Sequence, residues 1–392
     1  MNKKLLLIPL IIIIGIFVIV FSNKNDIEII RDRGDITLKK EQIIEYGSIV
    51  KVSDYVDVYG GELIDKYIEY TDLGNIDVTF QIKKDDNISD ESIRFNVVDT
   101  KSPVIIMSDT LKIEVGYKDS LVNRIFAGDN YDKSFKKEIV GEYNLNKLGE
   151  YPLTIKVEDS NGNKNEKKFT LKVIEKSNNY DNSKTYLDEI NKYKNDNTLI
   201  GIDVSKWQGD IDFKKVKKSG ISFVIIRLGT QSDFGGNNIL DIKFKQNIKN
   251  AIDAGLDVGI YFHSYATTLK EADNQAKFVI DNLKNYKINL PIAFDWESWS
   301  SFYKTNLSLT DLTKIQEEFL DKISEAGYTG MRYGSKNYLT NAWQDTKHLT
   351  WVAHYADNQT DYQGDYIMWQ LCSNGIIDGI NGYVDIDIYY KK

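Results

Sequence analysis

The chain has 392 residues, 42% of them hydrophobic, and a formal net charge of −8. That length exceeds what one hydrophobic core serves, so two or three domains are expected, and the acidic balance argues against nucleic acid and against adhesion to anionic lipid. One cysteine, Cys372, excludes an intrachain disulfide, and three histidines, His263, His348 and His354, make a histidine-rich metal centre a poor reading; no metal and no cofactor are expected.

At the N-terminus, Lys3 and Lys4 precede 17 apolar residues, 5–21. As a helix they would reach roughly 25 Å, the lower edge of a bilayer span. No small-x-small cleavage site follows, since the exit reads Val20, Phe21, Ser22, Asn23. An uncleaved transmembrane anchor over residues 1–23 is favoured over a cleaved signal peptide. The basic flank stays in the cytoplasm, so a single-pass cell-membrane protein with extracellular C-terminal domains is expected.

Residues 27–175 carry an internal repeat. The first copy reads YTDLGNIDVTFQIK and then SIRFNVVD; the second reads LNKLGEYPLTIKVED and then FTLKVIEK. Leu73 and Leu148 are 75 residues apart, and Phe95 and Leu171 are 76 apart, so the copies are in register. Apolar residues alternate along each, as in Ile76, Val78, Phe80, Ile82 and in Leu153, Ile155, Val157. A period of two, with the turn Asp159-Ser160-Asn161-Gly162, predicts half-buried strands in two small sandwiches, 27–99 and 100–175. The two modules resemble the immunoglobulin-like modules of bacterial surface proteins.

Residues 176–198, rich in Asn, Lys and Asp, read as a solvated linker with a short helix near 186–193. Beyond them the pattern changes. Near-continuous apolar runs at 221–227, 256–266, 290–297 and 349–356 alternate with helical segments, which predicts a parallel sheet with a helical cover. The clearest helix is 310–326: Ser308 or Thr310 caps it, Leu312, Ile315, Phe319, Leu320 and Ile323 make one stripe, and Gly327 stops it. Residues 199–392 suit a compact β/α barrel.

Acidic residues recur at the strand ends. Asp203 follows an apolar run, Asp295 and Glu297 end PIAFDWE, and Asp385 and Asp387 lie in YVDIDIYY. Strand ends converge on one mouth of a barrel, so acids distant in sequence meet there. Asp295 and Glu297, two residues apart on one strand, share a face; their repulsion and burial raise one pKa and leave a proton donor beside an anion, as glycosidic cleavage requires. Ten aromatics accompany them: Trp207, Tyr261, Phe262, Tyr265, Trp296, Trp299, Tyr333, Trp351, Tyr355 and Trp369. Aromatic faces suit the C–H faces of sugars, and about half of the ten are expected in the core instead.

IDVSKWQGDIDFKKVKKSGISFVIIRLG, GIYFHSYATTLKEADNQAKFVI, LPIAFDWES, TWVAHYA and MWQLCSNGIIDGINGYVDIDIYY follow, in order, the motifs of glycoside hydrolase family 25, and the C-terminal domain resembles that family over residues 199–392. The resemblance implies an irregular, TIM-like β/α barrel without a metal, acting as a lysozyme on the β-1,4 bond between N-acetylmuramic acid and N-acetylglucosamine of peptidoglycan glycan strands. It implies Glu297 as general acid, with Asp295 orienting the substrate's own acetamido group as the nucleophile. Asp203 and Asp385 match the family's other acids, with Asp387 in support. Among the aromatics gathered at the mouth, Trp207, Tyr261, Tyr265, Tyr333, Tyr355 and Trp369 are expected to contact substrate, together with Asp387. Trp296 departs from the small or aliphatic residue expected between the paired acids.

Plainer alternatives stand beside these. Asp203 also reads as a turn cap, Asp385 as a solvated strand end and His263 as a satisfied inner-strand histidine. Arg227 is expected to neutralise one of the acids, Asp212 to cap a helix over 213–218, and Lys214, Lys215, Lys217 and Lys218 to form a solvated face. The expected whole is a transmembrane helix, two all-β immunoglobulin-like sandwiches and the barrel. Competing functions are a cell-wall-binding or scaffolding protein with a weak barrel and a hydrolase of different bond choice, such as an N-acetylglucosaminidase.

Overall fold

The structure, a computed structural model, describes residues 36–176, 184–356 and 358–391. The expected multidomain architecture needs correction. Residues 5–21, the expected transmembrane helix, lie outside the described residues, and among the described residues no helix is long and apolar enough to cross a membrane. A run of 17 apolar residues stands at the limit of a span, so hydropathy alone carries the assignment no further. Nor do the described residues divide into two separate sandwiches and a barrel. The chain forms two compact units, one made of 36–42, 50–68 and 77–94, the other of 43–49, 69–76 and everything from Phe95 onward.

In the first unit Ile36–Leu38 pairs antiparallel with Val56–Val58, and Leu63 faces Ile82 across another antiparallel pair. Val52, Tyr55, Val56, Ile68, Val78, Phe80 and Ile82 are its buried residues.

The second unit contains a β-module and the barrel. In the module, Lys136–Val140, Gly149–Glu158, Lys164–Ile174 and Thr110–Glu114 form one sheet in that order. Its central hairpin buries Leu153, Ile155 and Val157 on one strand, the alternation read from the sequence, and Phe169, Leu171 and Val173 on the other, with Leu153 facing Phe169. Gly162, at φ +87°, supplies the left-handed turn residue. The module packs on the barrel through Phe126, whose ring meets Trp299, Phe302 and Tyr338 at 5.4, 5.5 and 5.2 Å.

The barrel has eight strands: β1 (Thr198–Val204), β2 (Phe223–Gln231), β3 (Asp257–His263), β4 (Ile292–Asp295), β5 (Gly330–Ser335), β6 (Leu349–Ala353), β7 (Met368–Ile376) and β8 (Val384–Tyr390). Neighbours from β1 to β7 are parallel; β8 is antiparallel to both β7 and β1 and closes the ring. The turn between β7 and β8 is too short for the crossover that a parallel strand needs, so β8 must reverse. Helices α1 (Phe213–Lys218), α2 (Phe244–Asp253), α3 (Leu269–Leu283), α4 (Leu309–Glu325) and α5 (Lys336–Asn341) follow β1 to β5. Among the described residues no helix follows β6 or β7, which makes the barrel irregular.

Helix α4 runs one residue ahead of the expected span. Ser308 caps it by accepting from the Asp311 N–H at 3.0 Å, the stripe from Leu312 to Ile323 is buried, and Gly327 turns at φ +85°. Asp212 caps α1 through the Lys215 N–H. The segment read as a linker joins the barrel in part: Thr185 and Tyr186 pair with β7, Ile190 is buried and Tyr193 packs edge-on against Trp369.

Strand parity sorts every side chain. Ile202, Val224, Ile226, Ile260, Phe262, Phe294, Val352 and Ile386 point out under the helices, while Phe223, Ile225, Ala293, Met331, Tyr333, Trp351 and Met368 point in. Gly201 is required here because a Cβ would lie 2.3 Å from the Phe223 ring, which fills the barrel floor.

Candidate active site

The inward parity of β1 continues from Gly201 to Asp203, that of β4 from Ala293 to Asp295 and on to Glu297, and that of β5 from Met331 to Tyr333. All lie at the C-terminal ends of parallel strands. Because β8 is antiparallel, its beginning lies at the same mouth, where Asp385 faces Asp203 across the ladder and Asp387 faces Gln370. His263, Asp295 and Tyr333 stand side by side on β3, β4 and β5. The fold thus assembles all five acids singled out in the sequence.

They form two groups. In the first, Asp295 is 5% exposed, its Oδ1 has no hydrogen-bond partner, and one oxygen each of Asp295 and Glu297 and one His263 nitrogen lie within 4.8 Å of one another. Burial pushes the Asp295 carboxyl up to about 7, opposed by the positive charge of Arg227. Solvent reaches Glu297, which stands beyond the end of β4 at the rim. The charge of Asp295, and after it lost hydration, pushes Glu297 up to about 8. The two carboxyls therefore titrate as a pair that holds one proton near neutrality. Tyr333 contacts Glu297 and also donates to Gln370 Oε1 at 2.9 Å, so its hydroxyl can follow the proton on Glu297.

The second group is Asp203, Asp385 and Asp387. Gln370 Nε2 donates to Asp203 Oδ2 at 2.7 Å and the Trp351 indole N–H to Asp387 Oδ1 at 2.9 Å. Asp387 Oδ2 has no N–H or hydroxyl donor, and Asp203 meets it carboxyl to carboxyl. Two buried carboxyls in contact need a proton between them: burial, then the charges of Asp385 and Asp387, hold Asp203 well above the ordinary carboxylate range, and burial, then the charge of Asp385, raises Asp387 as well. Burial raises Asp385 to about 6.

Arg227 corrects an expectation. Its ion pair is with Asp241, Nη2 to Oδ2 at 2.7 Å, and not with any of the five acids. Asp241 also accepts the Lys206 and Lys243 backbone N–H groups, which fixes Arg227 where its charge acts on Asp295. His263, read first as a packing histidine, stands inside the acidic group. Its Nδ1 shares a hydrogen bond with Thr230 at 3.0 Å, and burial lowers its pKa, so it is neutral. His263, Asp295 and Glu297 form a donor set that could take a divalent ion, but the fixed charge of Arg227 disfavours a second cation there. Gln370, bonded to Asp203, Tyr333 and Tyr355, was missed in the sequence; its inward parity beside Asp387 was the available signal.

The aromatics divide by the same parity. Tyr261 and Tyr333 line the inner wall, where Tyr333 and Trp351 rings meet at 4.6 Å. Trp207 and Tyr355 are 75% and 56% exposed at the rim, as flat sugar platforms would be, and Tyr265 packs on Phe234 and His263. Trp369 is not a cleft residue: it is fully buried outside the barrel, donating to the His354 carbonyl at 2.8 Å. Trp296 is explained likewise. It points outward, donates to the Ala266 carbonyl and packs on Trp299, so it anchors the segment that carries Glu297.

Residues 202–380 match the family described as Glycosyl hydrolases family 25. The Escherichia coli K12 protein YegX is 29% identical over 196 residues, covering 49% of this chain and 70% of YegX. The autolytic lysozyme of Clostridium acetobutylicum is 26% identical over 191 residues, 48% of this chain and 55% of that protein. Lysozyme M1 of Streptomyces globisporus is 28% identical over 208 residues, 47% and 65%. This chain thus spans between about half and 70% of the curated relatives it matches. The barrel thus carries the family 25 glycosyl hydrolase match over residues 202–380, and with its lysozyme relatives the chain is a glycoside hydrolase of the muramidase class.

Proposed function

We propose that the barrel cleaves the β-1,4 bond from N-acetylmuramic acid to N-acetylglucosamine in peptidoglycan, outside the cytoplasm where that polymer lies. Glu297 is the general acid: protonated at neutral pH, it donates to the leaving oxygen. Asp295 is the orienting anion. Its buried, unpartnered Oδ1 is free to accept the acetamido N–H of the substrate, which turns the acetamido oxygen toward the anomeric carbon. The observation that carries this reading is that pair, within 4.8 Å of each other and differing in environment. Inverting enzymes hold their carboxyls roughly 6.5–9.5 Å apart to admit water, which disfavours that route here.

Asp203, which shares a proton with Asp387, and Asp385 offer hydrogen bonds to sugar hydroxyls on the opposite side of the mouth. Tyr261, Tyr265, Tyr333 and Tyr355 shape the inner and rim contacts, and Trp207 is a stacking platform. A scaffolding protein with a weak barrel is the other reading; the intact, pKa-shifted acid pair favours catalysis. Mass spectrometry of fragments released from purified peptidoglycan tests the bond choice. Fragments ending in reducing N-acetylmuramic acid are expected; reducing N-acetylglucosamine would give the bond to a glucosaminidase, and no release would favour the scaffold.

A further inference from the structure

Away from the barrel mouth, three loops of the second unit bring four aspartates together. Asp99 follows the strand Asn87–Val98, Asp129 and Asp132 follow Phe126–Gly128, and Asp159 lies in the hairpin turn after Gly149–Glu158. One carboxylate oxygen from each lies within 4.8 Å of the other three. Asp99 and Asp159 are each 7% exposed and Asp129 is 1% exposed. Among the described residues no lysine or arginine forms an ion pair with any of the four. Buried like charges at this spacing repel strongly, and native proteins do not keep them without a counter-charge or protons.

The second observation is the state of their oxygens. Asp129 Oδ1 accepts the N–H groups of Tyr131 and Asp132 at 2.9 and 2.8 Å, while its Oδ2 is buried with no partner. Asp99 Oδ2 accepts from Asn161 Nδ2 at 2.9 Å, and its Oδ1 likewise has none. Asp159 is oriented by Asn161 and Asn163, and Asp132 by Ser160. Each carboxylate is thus pinned by one set of bonds, and two members of the cluster, Asp99 and Asp129, keep a buried oxygen without a hydrogen-bond partner.

We propose that Asp99, Asp129, Asp132 and Asp159 form a divalent-cation site of the calcium class. The donor set is all oxygen, which suits a hard ion, and four carboxylates gathered from separate loops suit the larger, geometrically tolerant Ca²⁺ better than Mg²⁺, which demands a near-ideal octahedron. The site bears on the barrel. The Asp129 carbonyl accepts the N–H of Leu309, the first residue of α4, at 2.7 Å, and a Cβ on the neighbouring Gly128 would lie 2.8 Å from the Leu309 side chain. Phe126, three residues before Asp129, packs on the segment Ser298–Lys304 that directly follows Glu297. An ion that fixes the Asp129 loop therefore fixes the docking of the module on the catalytic barrel.

The test uses the full chain stripped with EDTA, titrated with CaCl₂ by calorimetry and followed by thermal unfolding. Saturable binding at one site per chain and a rise in Tm of several degrees are expected, with Mg²⁺ binding at least tenfold more weakly. Asp129→Asn and Asp159→Asn should each weaken Ca²⁺ binding at least tenfold, and Asp129→Asn should raise the Tm of the metal-free chain by removing a buried charge. Asp132→Asn, at the more open ligand, gives a second variant should either of those fail to fold. Amide exchange at Leu309 should slow with Ca²⁺ in the parent only. Absence of binding, tighter binding of Mg²⁺, or a Ca²⁺ response unchanged in these variants would overturn the proposal.

Discussion

Glu297→Gln is expected to lower hydrolysis of purified cell walls by about 10²–10⁴-fold while leaving the fold intact. The amide preserves shape and cannot donate the proton that the leaving oxygen needs. Its position at the exposed rim, beyond the end of β4, means that little packing is disturbed. Because the parent carboxyl is held at about 8 by the adjacent Asp295 charge, replacing it also relieves repulsion, so the Tm near pH 8 should hold or rise. A variant that digests walls at the parental rate, with a parental Tm, would remove Glu297 from the role of acid.

Asp295→Asn is expected to cost about 10²–10³-fold, and to change the shape of the pH profile. In the proposed mechanism the active form has Asp295 ionised and Glu297 protonated. With Asp295 at about 7 and Glu297 at about 8, kcat/KM should follow a narrow bell whose limbs belong to the pair. Asparagine removes the largest cause of the raised Glu297 pKa. The acid limb should vanish and the alkaline limb should move to lower pH, leaving less of the acid protonated at neutrality.

Stability moves the other way. The native Asp295 carboxyl keeps its proton up to about 7, whereas in the unfolded chain it ionises near the ordinary aspartate value, so between those limits the native state binds the extra proton. Stability is therefore lost as pH rises through that window, and the full cost stands above it. Asp295→Asn should be more stable than the parent at pH 8, on the order of 2–4 kcal/mol, and nearly equal to it at pH 3. Denaturant unfolding at the two pH values measures this. Equal stabilities at both, with unchanged pH limbs, would contradict the environment assigned to Asp295.

Much of the site was legible because strand parity and barrel convergence are local rules applied repeatedly. Asp203, Asp295, Glu297, Asp385 and Asp387 could be gathered at one mouth from the alternation of their strands alone. The same parity excludes Trp369, which neighbours the inward Gln370 and so must point out. His263 and Gln370 were harder, since nothing local distinguishes an inward polar residue that packs from one that bonds to an acid in another strand. The Arg227–Asp241 pair depends on a loop conformation between β2 and α2 that periodicity does not encode. At larger scale, the repeat at 27–175 gave the alternating strands but not the grouping of the second β-module with the barrel, which rests on Phe126, Gly128 and Asp129 meeting Trp299 and Leu309. The grouping of Asp99, Asp129, Asp132 and Asp159 was not legible, although Asp159 reads as a turn residue, because they come from three loops, each of which alone looks like ordinary solvated loop chemistry.

In the proposed mechanism Asp295 and Glu297 work through the acetamido group of the substrate, and the configuration of the first-formed product decides whether they do. Nuclear magnetic resonance of the anomeric proton during early hydrolysis distinguishes the two outcomes before mutarotation mixes them. Retention is predicted, with the β anomer appearing first from the β bond. An initial α anomer would require water to attack from the opposite face and would contradict the account.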